Sequence, residues 1–212
     1  VPSTVQSAVA LTSMSNGDRA IAVVAASGSS LLGVFLTPLL VGLLLSQDIP
    51  TDAGAALRIV GLLLVPFVLG QLARRVRGLV ERTSDADLIS FDKFIVLFIV
   101  FVGFSSGTNA GVWEAVSWSD LLVVFVACAA MYAIAGIVSW QVGGFFGRPR
   151  RIAMFFAGTN KSLMAGLPIA LVLFPGESLG LMVLPLMIFH QLQLIVGSVF
   201  ARRFSQSDSS AG

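Results

Sequence analysis

Residues 158–165 read Gly158-Thr159-Asn160-Lys161-Ser162-Leu163-Met164-Ala165, a run of polar side chains around one lysine, set between the apolar segments 152–157 and 163–174. Lys161 follows Arg151 by ten residues. At about 1.5 Å per helical residue that is about 15 Å, half of a bilayer hydrocarbon core about 30 Å thick. If the stretch 151–175 crosses a membrane, the lysine lies at the midplane. An ammonium there costs about 2.5–3.5 kcal/mol on insertion scales and marks a pathway, a pairing or a site.

Composition favours the membrane. Of 212 residues 56% are hydrophobic and 11% charged, with a mean hydropathy of +0.93, against about 45–50% apolar and about 25% charged in soluble domains. That balance speaks against a water-soluble enzyme. The chain also lacks a His-Glu-x-x-His pair, a Cys/His metal spacing and a glycine-rich phosphate loop. One cysteine, Cys128, cannot form a disulfide within the chain. The net charge of +2 is carried by basic residues scattered between apolar runs, not by a stripe interleaved with stacking aromatics, so no nucleic-acid partner is expected.

Seven apolar segments are expected as helices, over 1–14, 20–45, 54–74, 92–111, 119–146, 151–175 and 179–202. The first is too short to cross alone; most of the others reach the roughly 20 residues a span needs. Arg19, then Arg74, Arg75, Arg77, Arg82 and Lys93, then Arg148, Arg150 and Arg151, then Arg202 and Arg203 fall in alternate connections. The intervening loops 47–54, 113–120 and 175–177 hold no Lys or Arg; Arg58 lies near that opposite face. By the positive-inside rule the carboxyl terminus is cytoplasmic in a plasma (inner) membrane, and Trp113 and Trp118 lie at the outer interface. Residues 204–212 form a cytoplasmic tail, of which Ser205 to Gly212 is polar and expected to be disordered.

The interruption at Lys161 has a counterpart. Thr4-Val5-Gln6-Ser7-Ala8-Val9-Ala10 matches Thr159-Asn160-Lys161-Ser162-Leu163-Met164-Ala165 at Thr, Ser and Ala, and each copy has a proline nearby, Pro2 and Pro168. The copies lie an odd number of spans apart, so they run in opposite directions through the membrane. This is the pattern of secondary transporters built from inverted repeats, whose interrupted helices meet at the midplane. The expected fold is an all-α polytopic membrane protein of inverted five-helix repeats with two broken, crossing helices. Residues 1–45 would end the first repeat and 54–203 would form the second, with about three spans expected upstream of Val1. By the same rise, His190 comes to a similar depth from Arg202, with Gln191 and Gln193 just below it, and so do Ser27, Ser29 and Ser30 from Arg19.

Pro2-Ser3-Thr4-Val5-Gln6-Ser7, the stretch from Leu31 to Leu40, Gly158-Thr159-Asn160-Lys161-Ser162 and the stretch from Leu184 to Gln193 together resemble the bile acid:sodium symporter superfamily, most closely its bile-acid-symporter-like branch. The resemblance covers essentially the whole chain. It implies a ten-helix fold with a panel and a core domain, in which the fourth and ninth helices are broken and cross. It also marks departures. Sodium-coupled members carry a carboxylate on the ninth helix, and Phe156 stands at that position. Hydroxyl positions of the fifth helix fall on or near Ala22 and Ala26, with Ser27 and Ser29 adjacent. Classical two-sodium coupling is therefore not expected.

The function expected is a secondary active, symporter-like transporter of a small organic anion. Its site residues would be Gln6, Ser7, Ser27, Ser29, Thr159, Asn160, Lys161, Ser162, His190 and Gln191. No cofactor is expected beyond a coupling ion, proton or sodium. Lys161 has a structural alternative, an ammonium standing in for a bound cation and pinning the crossing. His190, with an unperturbed pKa of about 6.5, is either a proton carrier or an interhelical hydrogen-bonding group. Ser27 and Ser29, flanking Gly28, read equally as a small-residue packing seam. The alternative function is a non-transporting membrane regulatory or assembly protein, which would bind no substrate at the crossing.

Overall fold

The computed structural model describes residues 3–44, 116–163, 166 and 179–209, with single helical positions between 61 and 114. Most of the expected spans 54–74 and 92–111, and Pro2, Trp113 and Pro168, lie outside the described residues. The named elements are α1 (Val5–Met14), α2 (Arg19–Leu44), α3 (Trp118–Gly143), a 3-10 turn (Gly144–Phe146), α4 (Arg148–Thr159) and α5 (Leu179–Ser209). No strand occurs among the described residues; one isolated antiparallel bridge pairs Ser3 with Lys161. Trp118–Phe146 and Leu181–Gln206 are long and apolar enough to cross a membrane.

Local signals explain where the helices begin. Ser117 and Asp120 form a capping box at α3: the Ser117 hydroxyl accepts from the Asp120 amide, and the Asp120 carboxylate accepts from the Ser117 amide at 3.0 Å. Asp18 opens α2 by accepting from the Ile21 amide at 3.1 Å. Between α3 and α4 the chain reverses through Gly147, whose φ of 80° suits a residue without Cβ, and Pro149 sits in the first turn of α4.

The chain packs as two compact units, residues 1–33 with 116–166 and 184–212, and residues 34–115 with 167–183. In the first, Ala8, Leu11, Ala26, Ile152, Phe155, Phe156, Ala157 and Ala201 form a buried cluster, with Val5, Ala25, Trp140, Phe200 and Phe204 packed against it. Glycine sets the α3–α4 distance: a Cβ at Gly143 would lie 2.9 Å from Arg151 Cα, and one at Gly158 would collide with the Ser139 hydroxyl. In the second unit Phe94 and Phe98 stack at 6.2 Å. These units cut across the division into 1–45 and 54–203, because a repeat is a division of sequence and a packing unit is not.

One expectation is corrected. The segment from Ser205 onward is not irregular throughout, since α5 continues to Ser209. Phe204 holds this end of the helix by stacking on Trp140 (centroids 5.1 Å apart, planes 7° apart) and meeting Phe155 and Phe156 edge-on.

Candidate functional site: the crossing of two helix ends

Helices α1 and α4 lie side by side and antiparallel. At one end the Asp18 amide donates to the Pro149 carbonyl at 3.0 Å, and Arg150 faces Asp18 across 3.9 Å. At the other end, about 18 Å away along the twelve residues of α4, the first residues of α1 meet the last of α4. Here the Thr4 amide donates to the Asn160 carbonyl at 3.0 Å. Thr4 and Asn160 cap α1 and α4 respectively, and both are extended. Helix resumes at Leu163, and the Gly166 amide donates to the Ser162 carbonyl at 3.0 Å. The segment read as one span over 151–175 is thus broken at Asn160–Ser162.

A broken helix leaves carbonyls without intrahelical partners. Ser3 answers part of this need: its hydroxyl lies 2.7 Å from the Ala157 carbonyl and 2.8 Å from that of Asn160, donating to the end of α4. Ser30 extends the network from α2, its hydroxyl donating to the carbonyls of Ser3 and Ala26, each at 2.9 Å. Lys161 is latched from α5. Its amide donates to Gln193 Oε1 at 2.6 Å, and Gln193 Nε2 donates back to the Lys161 carbonyl at 2.8 Å. The same Nε2 lies 3.0 Å from His190 Nδ1. Because Oε1 accepts, Nε2 donates, and His190 Nδ1 accepts from it in the tautomer that carries the ring proton on Nε2.

Two buried oxygens at the crossing, Asn160 Oδ1 and Thr4 Oγ1, have no hydrogen-bond partner among the described residues. The other half of the Asn160 amide donates to the Phe156 carbonyl at 2.9 Å. Phe156 itself is fully buried and packs on Phe155 and Phe204. Its ring therefore belongs to the aromatic core, where a carboxylate would have no place. The Lys161 side chain is half-buried, and no carboxylate among the described residues pairs with it.

The other expected site residues are distributed around this centre. Thr159 is buried, its hydroxyl turned back to the Phe155 carbonyl at 2.8 Å. Ser162 is half-buried at the break, Ser7 half-buried and Gln6 exposed in the first turn of α1. Ser27 is half-buried on α2, and Ser29 opens onto a 240 Å³ cavity with Ala25, Ser139 and Gly158. Gln191 is exposed and is not among the residues that meet at the crossing. Ser3, Ser30 and Gln193 are the polar residues that sequence reasoning left out of its site. Helical spacing held the signal: Ser30 follows Ala22 and Ala26 at intervals of four, and Gln193 follows His190 at an interval of three, each set on one face.

The model of the SBF-like CPA transporter family matches residues 1–206. The chain belongs to this family. Its relatives include the Escherichia coli protein named "Putative symporter YfeH", 42% identical over 212 aligned positions that cover 97% of this chain and 63% of the relative. A Pseudomonas aeruginosa protein named only as uncharacterized is also 42% identical, over 100% of this chain and 65% of its own length. The zebrafish protein named "Sodium/bile acid cotransporter 7" is 30% identical over 94% of this chain and 61% of its own. The chain thus spans less than two thirds of these relatives. No solved structure matches. Family membership and the apolar helices α3 and α5 make this an integral membrane protein, and none of these matches points to an enzyme family.

Proposed function

We propose that this chain carries the crossing of a secondary active, symporter-like transporter for a small organic anion, built from inverted five-helix repeats in a plasma (inner) membrane with the carboxyl terminus cytoplasmic. The observation that carries the reading is what converges on Lys161. The amino terminus of α1, which has no side-chain cap, and the helical turn that restarts at Leu163 both open at the crossing beside an ammonium without a carboxylate partner among the described residues. Helix amino termini present N–H groups and positive dipole ends, which favour an anion. An anionic substrate would complete the charge balance that the lysine leaves open, with Gln6, Ser7, Asn160 and Ser162 positioned around it.

Coupling is proposed to run on protons rather than on the carboxylate-dependent sodium chemistry of the superfamily. Phe156 removes the acidic ligand, and His190 is tied to the break through Gln193. Protonation at Nδ1 would replace an acceptor by a donor and break the contact with Gln193, so the charge state of His190 and the hold on Lys161 are linked. A screen of organic anions for thermal stabilisation of the full-length protein, followed by uptake into proteoliposomes, tests the reading. Stabilisation by anions and not by neutral analogues is the expected result.

A further inference from the structure

A second cavity lies away from the crossing. Between α3 and α5, with Phe155 of α4 at its base, runs an open groove of about 730 Å³ lined by Phe125, Ala133, Ile137, Ile195 and other almost wholly apolar residues. It ends at Trp140 and Phe204, which stack on each other. Those two rings also wall a smaller pocket of about 390 Å³ whose other residues are Gly144, Gly147, Arg148 and Arg151. The two openings therefore adjoin at a shared aromatic pair, one with hydrocarbon-like lining and the other with two guanidinium groups. They do so at the arginine-rich end of the helices, where Arg202 and Arg203 are also exposed on α5.

The polar end is built rather than incidental. Arg151 lies with its guanidinium carbon 4.2 Å from the centre of the Trp140 ring, and its Nε donates to the Trp140 carbonyl at 2.8 Å. This fixes the plane of the guanidinium while spending one of its five donors. A Cβ at Gly144 would lie 3.6 Å from the Arg151 guanidinium carbon, so the group rests flat against bare backbone. Arg148 reaches the Phe204 carbonyl at 3.4 Å from the same side.

We propose that this surface binds an anionic phospholipid of the arginine-bearing leaflet, with its phosphate between Arg148 and Arg151 and one acyl chain in the α3–α5 groove. Charge complementarity selects the headgroup, since basic pockets between membrane helices hold anionic lipid heads and planar guanidinium groups match phosphate oxygens in pairs. The apolar groove adjoining that pocket selects a lipid over a soluble phosphate. The proposal is independent of what is transported.

The test uses the full-length protein in detergent, titrated with phosphatidylglycerol or phosphatidylcholine and read by thermal shift and by native mass spectrometry. Phosphatidylglycerol should bind about tenfold more tightly, because both lipids offer a phosphate but only phosphatidylcholine sets a cation beside the arginines, at about 1 kcal/mol per basic residue. Arg148→Gln should remove that preference, read as the ratio of the two lipids' affinities within the variant, Arg148→Lys should keep part of it, and Ala133→Phe, which fills the groove, should weaken both lipids. Equal affinity for the two lipids would overturn the proposal, as would unchanged binding in Ala133→Phe. Competition by glycerol phosphate as effective as by the whole lipid would reduce the site to a phosphate pocket and also overturn it. Absence of any retained lipid, together with a lower melting temperature of lipid-free Ala133→Phe, would show the groove filled by another segment of the protein itself.

Discussion

The Thr4 amide and the Asn160 carbonyl, 3.0 Å apart, join the residue that caps the start of one helix to the residue that caps the end of another from far along the chain. That bond places an amino-terminal and a carboxyl-terminal helix end at one point, beside a lysine. Extended backbone at membrane depth persists only where protein or a cavity satisfies it. Here Ser3, Ser30 and Gln193 supply most of the partners, and the side-chain oxygens of Asn160 and Thr4 have none among the described residues.

Gln193 is the first residue to test. Gln193→Leu should leave the amide and carbonyl of Lys161 without partners, at about 1–3 kcal/mol for each buried group, and should lower the melting temperature and transport together. Gln193→Glu keeps the acceptor for the Lys161 amide and should lose less. Thermal unfolding of the two variants beside the parent protein checks the order; equal loss would show that the two bonds do not act separately.

Close packing of α3 on α4 gives a second expectation. Gly158→Ala places a methyl group against Ser139, and overpacking of this kind costs about 1–3 kcal/mol. Ser139→Gly in the same chain should recover part of the loss. Measured melting temperatures of the single and double variants form the cycle that isolates the contact, and additive effects would mean that the two residues do not clash.

Much of the crossing was legible in sequence because a lysine flanked by apolar runs has few explanations, and depth follows from counting residues. The interruption around Lys161 was anticipated on that basis, whereas the opposite directions of the two motifs were read from their odd offset in spans. What was not legible was azimuth. Depth places Gln191 and Gln193 alike, and only the turn of α5 separates them: Gln193 shares His190's face, buried, whereas Gln191 is exposed. Ser30 was eclipsed by Ser27 and Ser29 for the same reason. The helical end at Ser205–Ser209 was hidden because composition records polarity and cannot register that Phe204, one residue earlier, anchors the turn in an aromatic cluster.

The link between His190 and Gln193 carries a pH expectation. The contact is complete with the imidazole neutral and is lost as pH falls through its titration, because a protonated Nδ1 can no longer accept. Uptake should therefore depend on pH, and His190→Ala should flatten the profile more than it reduces expression. Replacing sodium by choline at constant pH and membrane potential should leave uptake unchanged; a steep sodium dependence would contradict the proton reading.

The central claim is that Lys161 holds the substrate's negative charge at the crossing, and binding to Lys161→Gln measures it most directly. Full-length parent, Lys161→Gln and Lys161→Arg proteins would be titrated with the best stabilising anion and compared by melting temperature with and without ligand. Lys161→Gln should unfold at nearly the parent temperature without ligand and lose anion stabilisation, and Lys161→Arg should keep part of it. Unchanged anion binding in Lys161→Gln, or a protein that no longer folds without the ammonium, would contradict the account and leave the lysine a structural pin.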